Sequence, residues 1–241
     1  MIYDRDIREP LFEFLEEEYG KVRILEEKTM GSSRADAVMV LENAVAGIEI
    51  KSDADTYARL AGQVKDYDLY YDYNLAVVGG THGAHIREHV PEYWGVITVE
   101  LVDGEFDFYF LRRPLPNPFV TWEKKLELLW RPELARLQEW NQMPKYKDKS
   151  RQFVISKIAE RIPDRIAEET LCTQVSGILY ERDYTNVEEM LKEYRKGELT
   201  RQIEQEMDPV RTLELMTQKA VRAAAADHLH RKRRRRRRTR L

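Results

Sequence analysis

Residues 37–51, AVMVLENAVAGIEIK, constrain the fold of this chain more than any other stretch. Two β-rich runs, 37–41 and 45–51, flank Glu42 and Asn43, which read as a tight turn between antiparallel strands. Side chains alternate along a strand, so Ile48 and Ile50 share one face while Glu49 and Lys51 share the other. A carboxylate and an ammonium two residues apart in an apolar hairpin either form an ordinary surface pair or line a site.

The flanking sequence embeds this hairpin in an α/β pattern. Residues 6–19 predict a helix with Leu11, Phe12, Phe14 and Leu15 on one face and Gly20 as its stop. Residues 22–25 predict a short strand, followed by the turn-rich MGSSR. Residues 56–71 predict a helix with Leu60, Val64, Tyr67 and Tyr71 along one face. Residues 75–78 read as a buried strand ended by Gly79 and Gly80, and a strand pair, 94–101 and 106–112, turns at Asp103-Gly104. This order predicts a mixed sheet flanked by helices. The proline-rich RRPLPNP reads as a linker near residue 118, and from Trp122 onward the pattern is helical. The expected division is an α/β domain over 1–118, a helical domain over 119–230 and a basic tail over 231–241.

Charge and cysteine usage narrow the setting. The net charge of −3 conceals a tail, RKRRRRRRTRL, with nine basic residues; the other 31 bases face 43 acids, a net charge of −12. Such a block is either a solvated appendage or a sequence-blind, salt-dependent contact for a polyanion. The lone Cys172 rules out an internal disulfide framework and suits a reducing compartment. No stretch approaches the ~18 apolar residues of a membrane span. A soluble cytoplasmic protein without a membrane partner is expected.

Asp36, in RADAVMV, sits on the strand preceding that of Glu49. Two carboxylates converging from neighbouring strands suit a hard divalent cation, Mg²⁺ or Mn²⁺, and a lysine beside them can hold a water or stabilise charge on a phosphate. The pattern D-x(n)-E-x-K on a hairpin between two helices resembles the PD-(D/E)XK nuclease superfamily, the restriction-endonuclease-like fold, and residues 1–113 follow its αβββαβ order. Glu9 resembles the acidic residue in the opening helix of archaeal Holliday-junction resolvases. Gln63 and Tyr67 resemble the Q-x3-Y element of nucleases related to the RecB nuclease domain. Together RADAVMV, GIEIKSD and QVKDYDLYY resemble a small, uncharacterised bacterial and phage family of that superfamily. Ala35 stands where many relatives have proline.

The resemblance implies roles for these residues. Asp36 and Glu49, helped by the Ile50 carbonyl, would ligate the metal, and Lys51 would orient the attacking water. Glu9 would support a metal-bound water, while Gln63 and Tyr67 would shape the site. Plainer readings stand beside these roles. Glu9 suits the helix dipole as a first-turn acid, Gln63 and Tyr67 suit helix surface and core, and Ser52, Asp53 and Asp55 suit capping of the next helix.

Two further segments carry weaker signals. In THGAHIREH, His85 and His89 have a spacing that can chelate zinc on a helix, although the glycines around them favour a loop beside the site. Residues 133–140 and 151–162 predict helices joined through Lys145, Lys147 and Lys149. That arrangement resembles SAP-like DNA-binding modules, or forms a helical lid on the core. Residues 168–229 read as acidic helices ending in AVRAAAADHL. The expected activity is metal-dependent hydrolysis of DNA in repair, recombination, restriction or phage-related processing, with a homodimer compatible. The alternative is a catalytically inactive DNA-binding or accessory protein on the same fold.

Overall fold

The structure, a computed structural model, describes residues 3–52, 56–83, 85–183 and 196–197. Helix α1 (Asp4–Tyr19) is followed by β1 (Arg23–Met30), β2 (Ser33–Val40) and β3 (Val45–Lys51). A single 3-10 turn, Tyr57–Arg59, leads into α2 (Leu60–Tyr70), then β4 (Tyr73–Gly79) and the one-turn α3 (Gly80–Gly83). β5 (Gly95–Val102) and β6 (Glu105–Arg112) follow, and then α4 (Trp122–Leu126), α5 (Arg131–Trp140), α6 (Arg151–Ala159) and α7 (Glu168–Glu181). The expected α/β class with a mixed sheet and helices after it is the one observed.

The six strands lie in sequence order across one sheet. β3–β4 and β4–β5 are parallel, joined through α2 and through the α3 segment, and the remaining pairs are antiparallel. The alternation read from the sequence sets its two faces. Ile48, Ile50, Leu75, Val77 and Ile97 pack against Ile7, Leu11 and Leu15 of α1. The opposite face, with Val38, Val45, Ala76 and Val96, packs against Tyr67, Tyr71, Leu126, Leu129, Val154 and Ile158. Burial on both faces explains why β3 and β4 read as nearly continuous apolar runs.

Two boundaries differ from the expected ones. β1 runs on to Met30 rather than ending at Leu25, because it pairs with β2 as far as Met30 opposite Ser33. It is an edge strand, so charged Glu26 and Lys28 are tolerated and blur the apolar pattern. The segment around residue 118 is also no free linker. Buried Asn117 donates from Nδ2 to the carbonyls of Asp68 (2.8 Å) and Tyr71 (2.7 Å). Helices α4–α7 contribute to the same apolar core as the sheet, and the compact unit extends to Arg182. The expected boundary at 118/119 therefore divides a single core.

α5 and α6 bury Leu134, Leu137, Val154, Ile155 and Ile158 in that core, as a helical lid does, while Lys145, Lys147 and Lys149 of their connection are exposed. The acidic helices expected beyond Asp183 and the basic tail over 231–241 lie outside the described residues, apart from residues 196–197. Among the described residues, no helix is long and apolar enough to cross a membrane.

Candidate active site

The β2–β3 ladder stops at Ala37 opposite Ile48. Beyond it the strands diverge, and the side chain of Asp36 replaces the backbone partner: Ile50 N–H donates to Asp36 Oδ2 at 2.8 Å. That divergence opens a cleft of about 740 Å³, whose walls include Asp36, Glu49, Ile50, Lys51, Arg34, Arg59 and Gln63. The β1–β2 turn at Gly31 and Ser32, which forms one rim, is held to α2. Ser32 N–H and Oγ donate to Asp66 Oδ2 at 3.1 and 2.8 Å, and Gly31 N–H donates to the Tyr70 hydroxyl at 3.1 Å.

Glu49 and Lys51 face α2, so the carboxylate–ammonium pair does not look out to bulk solvent. Glu49 is 1% exposed and Lys51 is 6% exposed. A charge buried this far must be paired and hydrogen-bonded to be tolerated. Lys51 Nζ and Gln63 Nε2 each donate to Glu49 Oε1 at 2.5 Å, and the Tyr67 hydroxyl lies 2.7 Å from Glu49 Oε2. Burial first, and then the Glu49 charge, push the Tyr67 phenol well above its ordinary value, so it stays protonated as a donor.

Gly47 makes this reach achievable. A Cβ built there would stand 2.3 Å from Tyr71 Cδ2 and 2.6 Å from Tyr67 Cδ1. Only a glycine lets both rings lie across β3, with the Tyr67 hydroxyl extending to Glu49.

Asp36 is only partly buried, with its side chain 23% exposed. Burial and the neighbouring Glu49 charge raise its carboxyl to about 6, against the opposing hydrogen bond from Ile50. The opening helix contributes here through residues the sequence reading did not single out. Arg8 donates to the Asp36 carbonyl at 3.1 Å and to Asp4 Oδ2 at 2.8 Å, and Asp4 joins the cleft wall. Glu9, expected in this position, is exposed and lies outside the cleft wall. Helical spacing accounts for the difference. Asp4, Ile7, Arg8, Leu11 and Leu15 form one stripe at i, i+3, i+4, i+7 and i+11, and Glu9 falls off it.

The residues expected around the site thus divide clearly. Asp36, Glu49, Ile50, Lys51 and Gln63 line one cleft, and Tyr67 supports it from beneath, whereas Glu9 stands apart. Asp53 and Asp55 lie outside the described residues. His85 pairs with Glu88 at 3.6 Å and His89 stacks on Tyr57, so the two do not converge as a zinc pair. Among the described residues no group of three or more His, Cys, Asp or Glu side chains forms a ligand cluster.

A divalent cation would therefore draw on two carboxylates, a backbone carbonyl and water. The donors fit a hard cation: they are oxygens, Asp36 is crowded by a second carboxylate, and two buried cleft oxygens, Asp4 Oδ1 and Gln63 Oε1, have no hydrogen-bond partner.

Fold and site together define an α/β protein with a buried carboxylate–lysine cleft at the end of a diverging hairpin. The chain belongs to the bacteriophage P4 protein cII family, whose model matches residues 2–202. No curated protein matches it. The solved structure of Pyrococcus furiosus SfsA in complex with Ca²⁺ is similar over 46% of this chain and 62% of that one, at 13% identity and a TM-score of 0.30.

Proposed function

We propose that the cleft is the active site of a Mg²⁺- or Mn²⁺-dependent nuclease that hydrolyses DNA phosphodiester bonds, on a core of the PD-(D/E)XK type. The observation that carries this reading is the buried convergence of Glu49, Lys51, Gln63 and Tyr67 beside Asp36 at the open end of the β2–β3 hairpin. A fold gains little stability from burying an ion pair that apolar residues could replace, so a costly group lining a cleft points to chemistry.

Asp36, Glu49 and the Ile50 carbonyl would hold the cation, with Asp4 in reach of its water shell. The cation would supply Lewis-acid charge for the scissile phosphate. Lys51, fixed by Glu49, would place its ammonium against the phosphate and the incoming water and stabilise developing negative charge. Gln63 and Tyr67 hold the Glu49 carboxylate in one orientation, because both donate to it while packed in α2. Arg34 and Arg59, exposed on the cleft walls, are placed to meet flanking phosphates.

The test is cleavage of single-stranded, double-stranded, flapped and four-way DNA with Mg²⁺ or Mn²⁺, repeated with Asp36→Ala, Glu49→Ala and Lys51→Ala. Activity that survives all three substitutions removes the assignment. A second reading, an inactive DNA-binding or accessory protein, draws on the self-contained pairing of both Glu49 oxygens within the protein. Calorimetric titration separates the two: absence of Mg²⁺ and Mn²⁺ binding alongside intact DNA affinity favours the accessory role.

A further inference from the structure

Beside the cleft lies a ring stack that the hydrolytic reading does not use. β3 and β4 run parallel with Lys51 opposite Val78, so the chain leaves both strands at the same end of the sheet. From β3 it enters the Tyr57–Arg59 turn, whose Ala58 and Arg59 line the cleft, and from β4 it enters α3. Tyr57 bridges the two: its hydroxyl donates to the His82 carbonyl at 3.1 Å, and its ring meets the His82 ring edge-on at 5.0 Å. On Tyr57 lies the exposed imidazole of His89, with centroids 4.1 Å apart and planes 31° from parallel. The Nε2 of His82 is buried without a hydrogen-bond partner. A half-buried phenol held by His82 thus carries an exposed flat ring, one residue along from a cleft-lining segment that ends in the exposed cation Arg59.

We infer that the His89–Tyr57 stack is a platform for an unpaired nucleobase, and that the cleft therefore takes a single strand or a single-stranded end in preference to an intact duplex. The inference rests on the nucleic-acid reading of the cleft. A base inside a duplex has both faces covered by its neighbours, whereas an unpaired base offers a face to stack on a flat side chain. The stack is pre-organised, so little ordering cost accompanies binding. Arg59 lines the cleft and shares the 3-10 turn of Tyr57, so it can follow the backbone of the same strand.

The experiment is fluorescence anisotropy of the full-length protein with a labelled oligonucleotide, single-stranded or annealed to its complement. It is run in chelator, so that nothing is cut, and at ~200 mM salt, where sequence-blind phosphate contacts fade. The wild type should bind the single strand more tightly. His89→Ala should weaken single-strand binding roughly tenfold and change duplex binding less than about twofold, because one stacked base is lost. His89→Trp should retain single-strand affinity, which separates stacking from charge. His89 is exposed, so its substitution leaves the core intact, and an unchanged melting temperature verifies this.

Equal weakening of both substrates, no weakening of either, or no preference for the single strand in the wild type overturns the inference. Cleavage in Mg²⁺ with an inert His89→Ala removes only the platform. A His89-dependent single-strand preference without cleavage by the wild type removes the nuclease reading and keeps the platform.

Discussion

Two carboxylates confined this closely repel each other, and Asp36 carries the consequence. Its carboxyl titrates near 6 rather than at its ordinary 3.8, because burial and the Glu49 charge disfavour ionisation. Between about pH 4 and 6 the metal-free native state should therefore hold a proton on Asp36 that the unfolded chain has already released. Stability should fall as pH rises from about 4 through 6 and stay lower above that, by roughly 2 kcal/mol once screening of a partly exposed group is allowed for. Urea unfolding of wild type and Asp36→Asn across this range checks the sign: the asparagine variant should lack the decline. A divalent cation held by Asp36 would compete with the same proton, so Mn²⁺ affinity should rise by up to roughly tenfold per pH unit below about pH 6 and level off above it. At this scale the sequence was informative where alternation fixes direction, as at Glu49 and Lys51. It was silent on Asp4, because an expected helix start at Asp6 left out the turn that carries it, and on Arg8, because a charged residue inside an expected helix reads as surface until its partners Asp4 and Asp36 are placed beside it.

At the scale of elements, the site depends on the Tyr67 and Tyr71 rings packing directly against β3. Gly47 is the contact that permits it, and a glycine within a run of β-formers was a readable sign of close backbone approach. Gly47→Ala should force Tyr71 and Tyr67 outward, since the added methyl would stand 2.3 and 2.6 Å from their rings, respectively. The expected cost is about 1–3 kcal/mol of stability, read as a lower urea midpoint. Cleavage should fall by more than that loss of folded protein explains, because Tyr67 and Gln63 orient Glu49. An alanine variant with unchanged midpoint and unchanged cleavage would show that α2 need not sit where it does. The extent of β1 was illegible for a different reason: an edge strand presents half its residues to water, so backbone pairing rather than side-chain pattern carries it to Met30.

At the scale of the molecule, the helices after residue 118 complete the core beneath the sheet. Leu126, Leu129, Leu137, Val154, Ile158, Leu171 and Val175 share one buried cluster with Tyr67 and Trp94, and Lys125 reaches back to both Asp72 carboxylate oxygens at 2.7 Å. Periodicity identified these segments as helical, but it cannot say which apolar face they cover. A chain ending at Pro118 should therefore lose cooperative unfolding and near-ultraviolet circular dichroism. One ending at Asp183 should keep both; the reverse result would restore the earlier boundary.

The central claim, that the polar end of β3 is a cation-dependent hydrolytic centre, is tested most directly by cleavage of an end-labelled DNA strand. The full-length protein in excess is compared with Glu49→Gln, each with Mn²⁺ and with chelator. Glutamine preserves the shape and packing of the side chain and removes its charge. The account predicts cleavage only by wild type with the cation, and a loss of at least roughly a hundredfold in Glu49→Gln, on the scale of removing one charge-stabilising group from an active site. Cleavage at the wild-type rate by Glu49→Gln, or undiminished in chelator, would contradict it.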